Sequence, residues 1–260
     1  MTNIYLHPLT GNGKPVVMLH GLAATGESFS DLRKKLGDEV TILTFDLHGF
    51  GKSPDFPPGK AGIDGHVTSV LSRLSGIDEP IAIVGHSMGG RIALLVHESL
   101  SLETPSRAGP LVLIAPAIKA ADLAKLASTN PPASVAGLNP AEIAALTVLN
   151  AVREIPATAE DAKKYATNFA PNRTWMVTSA PPLAHNLLGY AEKIRNVDTR
   201  LLFVWGEKDK VLPIEHLGEF LKLNLSASAI KVPSVGHIPH EEAPDVALKP
   251  IVKLLSEWAT

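Results

Sequence analysis

The chain of 260 residues contains no cysteine. Disulfides, thiolate nucleophiles and cysteine-ligated metals are therefore excluded. It also lacks a strong charge of either sign. Charged residues make up 19% of the total and the net charge is −2, which leaves no electrostatic case for nucleic acid or an anionic membrane as partner. No uncharged apolar run is long enough to span a bilayer. The opening Met1-Thr2-Asn3-Ile4-Tyr5 shows no basic segment followed by an apolar one. A soluble, cytoplasmic protein is expected. The 10 histidines and the acids show no ligand spacing such as H-E-x-x-H, so neither a metal nor another cofactor is expected.

What is present is a series of short apolar runs, at 15–19, 40–45, 81–84, 111–115, 201–205 and 229–232. Each is aliphatic or β-branched with few polar interruptions, the pattern of strands buried on both faces of a parallel sheet. An earlier piece, 4–9, is expected to add an antiparallel edge strand through the Gly11-Asn12-Gly13 turn. Helical periodicity falls between the runs. Phe29, Leu32 and Leu36 share one face and stop at Gly37, and Val67, Val70, Leu71 and Leu74 stop at Gly76. The expectation is an α/β fold, a mostly parallel twisted sheet flanked by helices. The alternation breaks between about 118 and 194, where no strand-like run occurs. Two helix starts are marked there, Asn139-Pro140-Ala141-Glu142 and Thr158-Ala159-Glu160-Asp161. The segment 118–194 is read as a helical insertion roofing one end of a core made of 1–117 and 195–260.

The third of these runs ends in Gly85-His86-Ser87-Met88-Gly89, directly before a helical pattern. A strand-to-helix turn this tight forces its central residue into strained dihedrals. Glycines two places before and after remove the Cβ atoms that would collide. Ser87 would then project from the sheet with a helix N-terminus behind it, the arrangement of a nucleophile elbow.

A serine needs a base, and the base needs an orienting carboxylate. In an open parallel sheet such groups come from loops at the carboxyl ends of strands. Asp209 follows the run 201–205 through Gly206-Glu207-Lys208, and His237 follows the next run through Val235-Gly236. The order Ser87, Asp209, His237 is that of an elbow-type hydrolase. His240 is the nearest rival to His237. Glu207 replaces Asp209 only if the turn is longer by two residues. Asp46 is expected to cap backbone N–H groups of its own loop, and His86 to bond away from Ser87. Two backbone donors are expected for an oxyanion: the Met88 N–H at the helix start and the Leu22 N–H in the loop after His20-Gly21. Within the insertion, Leu146 and Trp175 are expected to line the pocket. His185 is within reach of a substrate, although an exposed helix position is the plainer reading.

Leu19-His20-Gly21-Leu22, Asp46-Leu47-His48-Gly49-Phe50-Gly51-Lys52-Ser53, Gly85-His86-Ser87-Met88-Gly89-Gly90, Trp205-Gly206-Glu207-Lys208-Asp209 and Gly236-His237 together resemble the motif series of the α/β-hydrolase superfamily. The resemblance implies Ser87 as nucleophile, His237 as general base and acid, Asp209 as its orienter, Leu22 and Met88 as the oxyanion hole, and 118–194 as a cap. Serine rather than aspartate at the elbow argues against dehalogenases and epoxide hydrolases of this fold. His86 and Ile238 stand where ring-fission carbon–carbon hydrolases typically carry asparagine and tryptophan, which demotes that reading. Gly90-Arg91 resembles the menaquinone-pathway synthase of the superfamily, but a helix-surface charge accounts for Arg91 more simply. The expected activity is hydrolysis of a small, mostly apolar carboxylic ester, with thioesters and lactones served by the same machinery. Two alternatives are a slow-turnover ligand sensor of the same fold and a cofactor-free lyase or perhydrolase.

Overall fold

Seven strands form one sheet in the order β1-β3-β2-β4-β5-β6-β7. They are β1 (Tyr5–Leu6), β2 (Pro15–Leu19), β3 (Thr41–Asp46), β4 (Ile81–His86), β5 (Ala108–Ile114), β6 (Leu201–Gly206) and β7 (Ser228–Val232). The structure is a computed structural model and describes residues 3–56, 60–118, 137–169 and 188–260. All pairings are parallel except β1 with β3. The expected edge strand forms, but as a two-residue piece on β3 rather than as a hairpin with β2. The reason is that β2 already has β3 and β4 as neighbours, so only the outer side of β3 is open.

The near-continuous apolar strands are explained by burial on both faces. Val17, Leu19, Leu43, Phe45, Ile83, Leu113, Phe203 and Trp205 belong to one apolar cluster. Their alternating neighbours Val16, Met18, Ile42, Val84, Val112, Ile114, Leu202 and Val204 belong to another. Side chains of a strand point alternately to opposite faces, so a strand covered on both sides has no polar register. The first cluster is closed by α2 (Ile63–Leu74) and α3 (Met88–Glu103), the second by α1 (Ser30–Leu36) and the C-terminal helix.

Between β5 and β6 the described residues are helical: α4 (Pro140–Val152), α5 (Ala159–Tyr165), a 3-10 turn over Ala166–Phe169, and α6 (Leu188–Arg195). Both expected helix starts are capping boxes. Asn139 accepts from the Glu142 N–H and Thr158 from the Asp161 N–H, with each acid reaching back to the cap residue's own N–H. The chain then runs through β6, α7 (Glu215–Leu223), β7, the short helix α8 (Pro239–Glu242) and α9 (Pro244–Ala259). No helix among the described residues is long and apolar enough to cross a membrane.

Candidate active site

Ser87 lies between β4 and α3 with φ 52 and ψ −116, a strained conformation for a residue with a side chain. Its main chain is held from both sides. The Ser87 N–H donates to the Ile114 carbonyl at 2.9 Å, and the Ser87 carbonyl accepts from the Gly90, Arg91 and Ala117 N–H groups at 3.0, 3.2 and 2.9 Å. A Cβ on Gly89 would stand 2.1 Å from the Leu19 carbonyl oxygen, and one on Gly85 2.4 Å from the Gly89 oxygen. Close approach of three backbones is therefore what the two flanking glycines permit.

The three side chains expected to act together do meet. Ser87 Oγ donates to His237 Nε2 at 2.9 Å, and His237 Nδ1 donates to Asp209 Oδ2 at 2.8 Å. Asp209 Oδ1 accepts from the Val211 and Leu212 N–H groups, both at 2.9 Å. Two backbone donors thus fix the carboxylate while its other oxygen faces the ring. All three residues are buried. Glu207 is exposed and takes no part.

The loop after β2 comes against the elbow. A Cβ on Gly21 would sit 2.8 Å from His86 Nδ1 and 3.2 Å from Ser87 Cβ. His20 orients that loop. Its Nε2 accepts from the Leu47 N–H at 2.9 Å, which leaves Nδ1 to donate to the Gly21 carbonyl at 2.8 Å. Burial, opposed by Asp46, lowers the His20 pKa to about 4, so the ring stays neutral in this one tautomer. In a trans peptide the carbonyl and the next N–H point opposite ways. Holding the Gly21 oxygen toward His20 therefore turns the Leu22 N–H away from it.

Other candidates fall into supporting positions. His86 Nε2 donates to the His237 carbonyl at 2.8 Å. Burial, then the charges of His240 and His237, hold its pKa well below the ordinary value. His240 stacks on Phe29 and neither ring nitrogen has a hydrogen-bond partner among the described residues. Asp46 does cap its loop, accepting from the Gly26 and Lys52 N–H groups at 2.8 and 2.9 Å. Burial pushes its pKa up, but the His7 hydrogen bond, the His20 charge and these amides outweigh that and hold it at about 2. Arg91 is a correction to the sequence reading. It is not a surface charge but is buried, its Nε donating to the Tyr190 hydroxyl at 2.6 Å. The first two turns of α3 are buried all round, so a charged residue there has no route to solvent.

Leu146 is buried in the apolar cluster that also holds Met88 and Ile238. Trp175 and His185 lie outside the described residues. Three residues to which the sequence reading gave no role of their own touch the loops around Ser87 and His237. They are His20, described above, Asn168, whose side-chain amide donates to the Ala23 and Ala24 carbonyls and accepts from the Gly51 N–H, and Glu242. Asn168 acts across long sequence separations, and Glu242 joins the nearby Gly236 and Ile238 to the distant Glu154 and Ile155; no local pattern signals either. Among the described residues no group of three His, Asp or Glu side chains is arranged to hold a metal ion.

The chain belongs to the alpha/beta hydrolase family, whose sequence profile matches residues 16–249. It is similar to the 2-hydroxy-6-oxo-6-(2'-aminophenyl)hexa-2,4-dienoic acid hydrolase of Metapseudomonas resinovorans, with 26% identity over 96% of this chain and 86% of that protein. Its fold is that of a serine hydrolase involved in carbazole degradation, at 22% identity and a TM-score of 0.75 over 96% of this chain and 93% of that one. A thermophilic esterase from Thermogutta terrifontis shares the fold at 20% identity and a TM-score of 0.74 over 99% and 95% of the two chains. The protein is a hydrolase of this family.

Proposed function

We propose that the protein hydrolyses small, mostly apolar carboxylic esters through an acyl-serine intermediate, with thioesters and lactones as chemically equivalent substrates. The observation that carries this reading is the chain of two hydrogen bonds from Ser87 through His237 to Asp209, with Ser87 at the N-terminus of α3. Ser87 Oγ attacks the ester carbonyl as its proton passes to His237 Nε2, and Asp209 stabilises the imidazolium. The carbonyl oxygen becomes an alkoxide facing the Leu22 and Met88 N–H groups and the positive end of the α3 dipole. Collapse expels the alcohol, which takes the proton from His237. Water then attacks the acyl-serine with His237 again as base, releasing the acid and restoring Ser87. The apolar preference is read from the Ala, Leu, Val and Pro content of the insertion, in which Ala145, Leu146, Leu149 and Val152 are buried.

Carbon–carbon bond hydrolysis is a second reading, favoured by the name of the relative that matches 96% of the chain. His86, held as a donor to the His237 carbonyl, and the apolar Ile238 weigh toward the ester. The test is a panel of p-nitrophenyl esters and thioesters of graded acyl length beside 2-hydroxy-6-oxo-6-(2'-aminophenyl)hexa-2,4-dienoic acid, with Ser87→Ala as the blank. Turnover of short apolar esters lost in Ser87→Ala is expected. Turnover confined to the dienoic acid would transfer the assignment to the second reading.

A further inference from the structure

The carboxylate of Glu242 gathers backbone N–H groups from two separate parts of the chain. Oε1 accepts from Gly236 at 3.1 Å and Ile238 at 3.2 Å. Oε2 accepts from Glu154 at 2.8 Å, Ile155 at 2.9 Å and Gly236 at 3.1 Å. Gly236 and Ile238 flank His237. The N–H between them, that of His237 itself, donates to the Val152 carbonyl at 2.8 Å. Three consecutive amides of the base loop are thus all engaged, two by Glu242 and one by the end of α4. The insertion reaches the other catalytic loop as well, since Lys210 Nζ, beside Asp209, lies 2.7 Å from the Glu154 carboxylate. The two backbones are in contact: a Cβ on Gly236 would meet the Val152 oxygen at 2.7 Å and the Glu154 nitrogen at 2.8 Å. Glu242 is 7% exposed, so water does not stand in for these donors.

We infer that Glu242 is a positioning residue for His237. It locks the base loop onto residues 152–155 of the insertion, so that His237 Nε2 stays aligned on Ser87 Oγ. The inference rests on the reading of Ser87 as nucleophile and His237 as base. A carboxylate suits the position because both oxygens face donors and both must accept. A glutamine of the same size presents an NH₂ group to one pair of amides whichever way it sits. The insertion is then a structural part of the catalytic apparatus in addition to a roof over it.

The test compares wild type with Glu242→Gln in three measurements on folded, monodisperse protein: steady-state ester hydrolysis, the rate at which a fluorophosphonate labels Ser87, and the downfield proton resonance of His237 Nδ1–H. A displacement near 1 Å is enough to cost about 10²-fold in rate. The expected result is a kcat lower by about 10- to 100-fold with KM within about twofold, phosphonate labelling slowed by at least about tenfold, and a broadened or shifted His237 resonance. A merely structural role lowers the melting temperature and leaves labelling per folded molecule and the resonance unchanged, and that result overturns the inference. If the variant does not fold, amide exchange in the wild-type protein decides. The Gly236, His237, Ile238, Glu154 and Ile155 amides are expected to open as one unit, and opening constants scattered over more than tenfold count against the lock. A wild-type protein that takes no phosphonate on Ser87 overturns the functional reading first, and with it the reaction that Glu242 serves. Equal labelling of wild type and variant overturns Glu242 alone.

Discussion

His20, His86, His237 and His240 are all buried around the elbow, yet their partners give them different work. Only His237 has a carboxylate on one ring nitrogen and the serine hydroxyl on the other. His240 sits close by, and burial, then the charges of Lys164, His237 and Arg153, hold its pKa down to about 3. Such a ring is neutral at working pH but too weak a base to take over the serine proton. His237→Ala is therefore expected to lose about 10³-fold or more in kcat. His240→Ala should lose less than about tenfold, its main effect being the cavity left beside Phe29. Steady-state kinetics on both variants checks this, and comparable losses would reverse the assignment. The meeting of Ser87, His237 and Asp209 was legible in the sequence because each sits at a strand end, with glycines that mark the turn. Arg91 was not, because a charge on a helix reads as exposed unless the burial of every neighbour is already known.

At the scale of elements, the six longer strands and the two capping boxes were legible because each leaves a local signature, a two-sided apolar run or a side chain that returns to its own helix start. The antiparallel edge strand β1 was legible, but not that its neighbour is β3. A turn signal such as Gly11-Asn12-Gly13 predicts reversal, but which strand has a free side depends on the whole sheet order. Asn168 was invisible for a related reason, since Gly51, Ala23 and Ala24 are more than a hundred residues away in sequence. Its amide ties the 3-10 turn of the insertion to the loop that follows Leu22, where Ala23 is held at φ 60. Asn168→Ala removes three part-buried hydrogen bonds, to the Ala23 and Ala24 carbonyls and from the Gly51 N–H, a cost of about 2–3 kcal/mol. It also frees the Leu22 loop. The expected outcome is a lower melting temperature together with a kcat reduced about tenfold at nearly constant KM. An unchanged kcat per folded molecule would leave Asn168 a purely structural strap.

Across the whole molecule, neutral buried histidines are expected to dominate the response to acid. Burial lowers His20 to about 4 and His240 to about 3, and holds His66 and His86 well below their ordinary value. In the unfolded chain each titrates near 6.5. Between that value and the folded one the unfolded state binds more protons, so stability is full above about pH 6.5 and falls as the pH drops. His20 and His240, held at about 4 and about 3, each cost about 2 kcal/mol by pH 5, a sizeable part of a domain's stability. Asp46 adds in the same direction at lower pH. Melting temperatures are expected to fall steeply from pH 6.5 to 5. His66→Phe should reduce that slope, because His66 has neither ring nitrogen partnered and stands among Phe50 and Phe56. A flat profile over this range would contradict the account. The central claim is that a sheet buried on both faces holds Ser87 at its carboxyl edge to form a covalent ester intermediate. It is tested most directly by rapid-quench mass spectrometry during turnover of a p-nitrophenyl ester. The account predicts an acyl adduct that maps to Ser87, forms at least as fast as turnover and is absent from Ser87→Ala. Turnover with no adduct, an adduct on another residue, or undiminished hydrolysis by Ser87→Ala would contradict it.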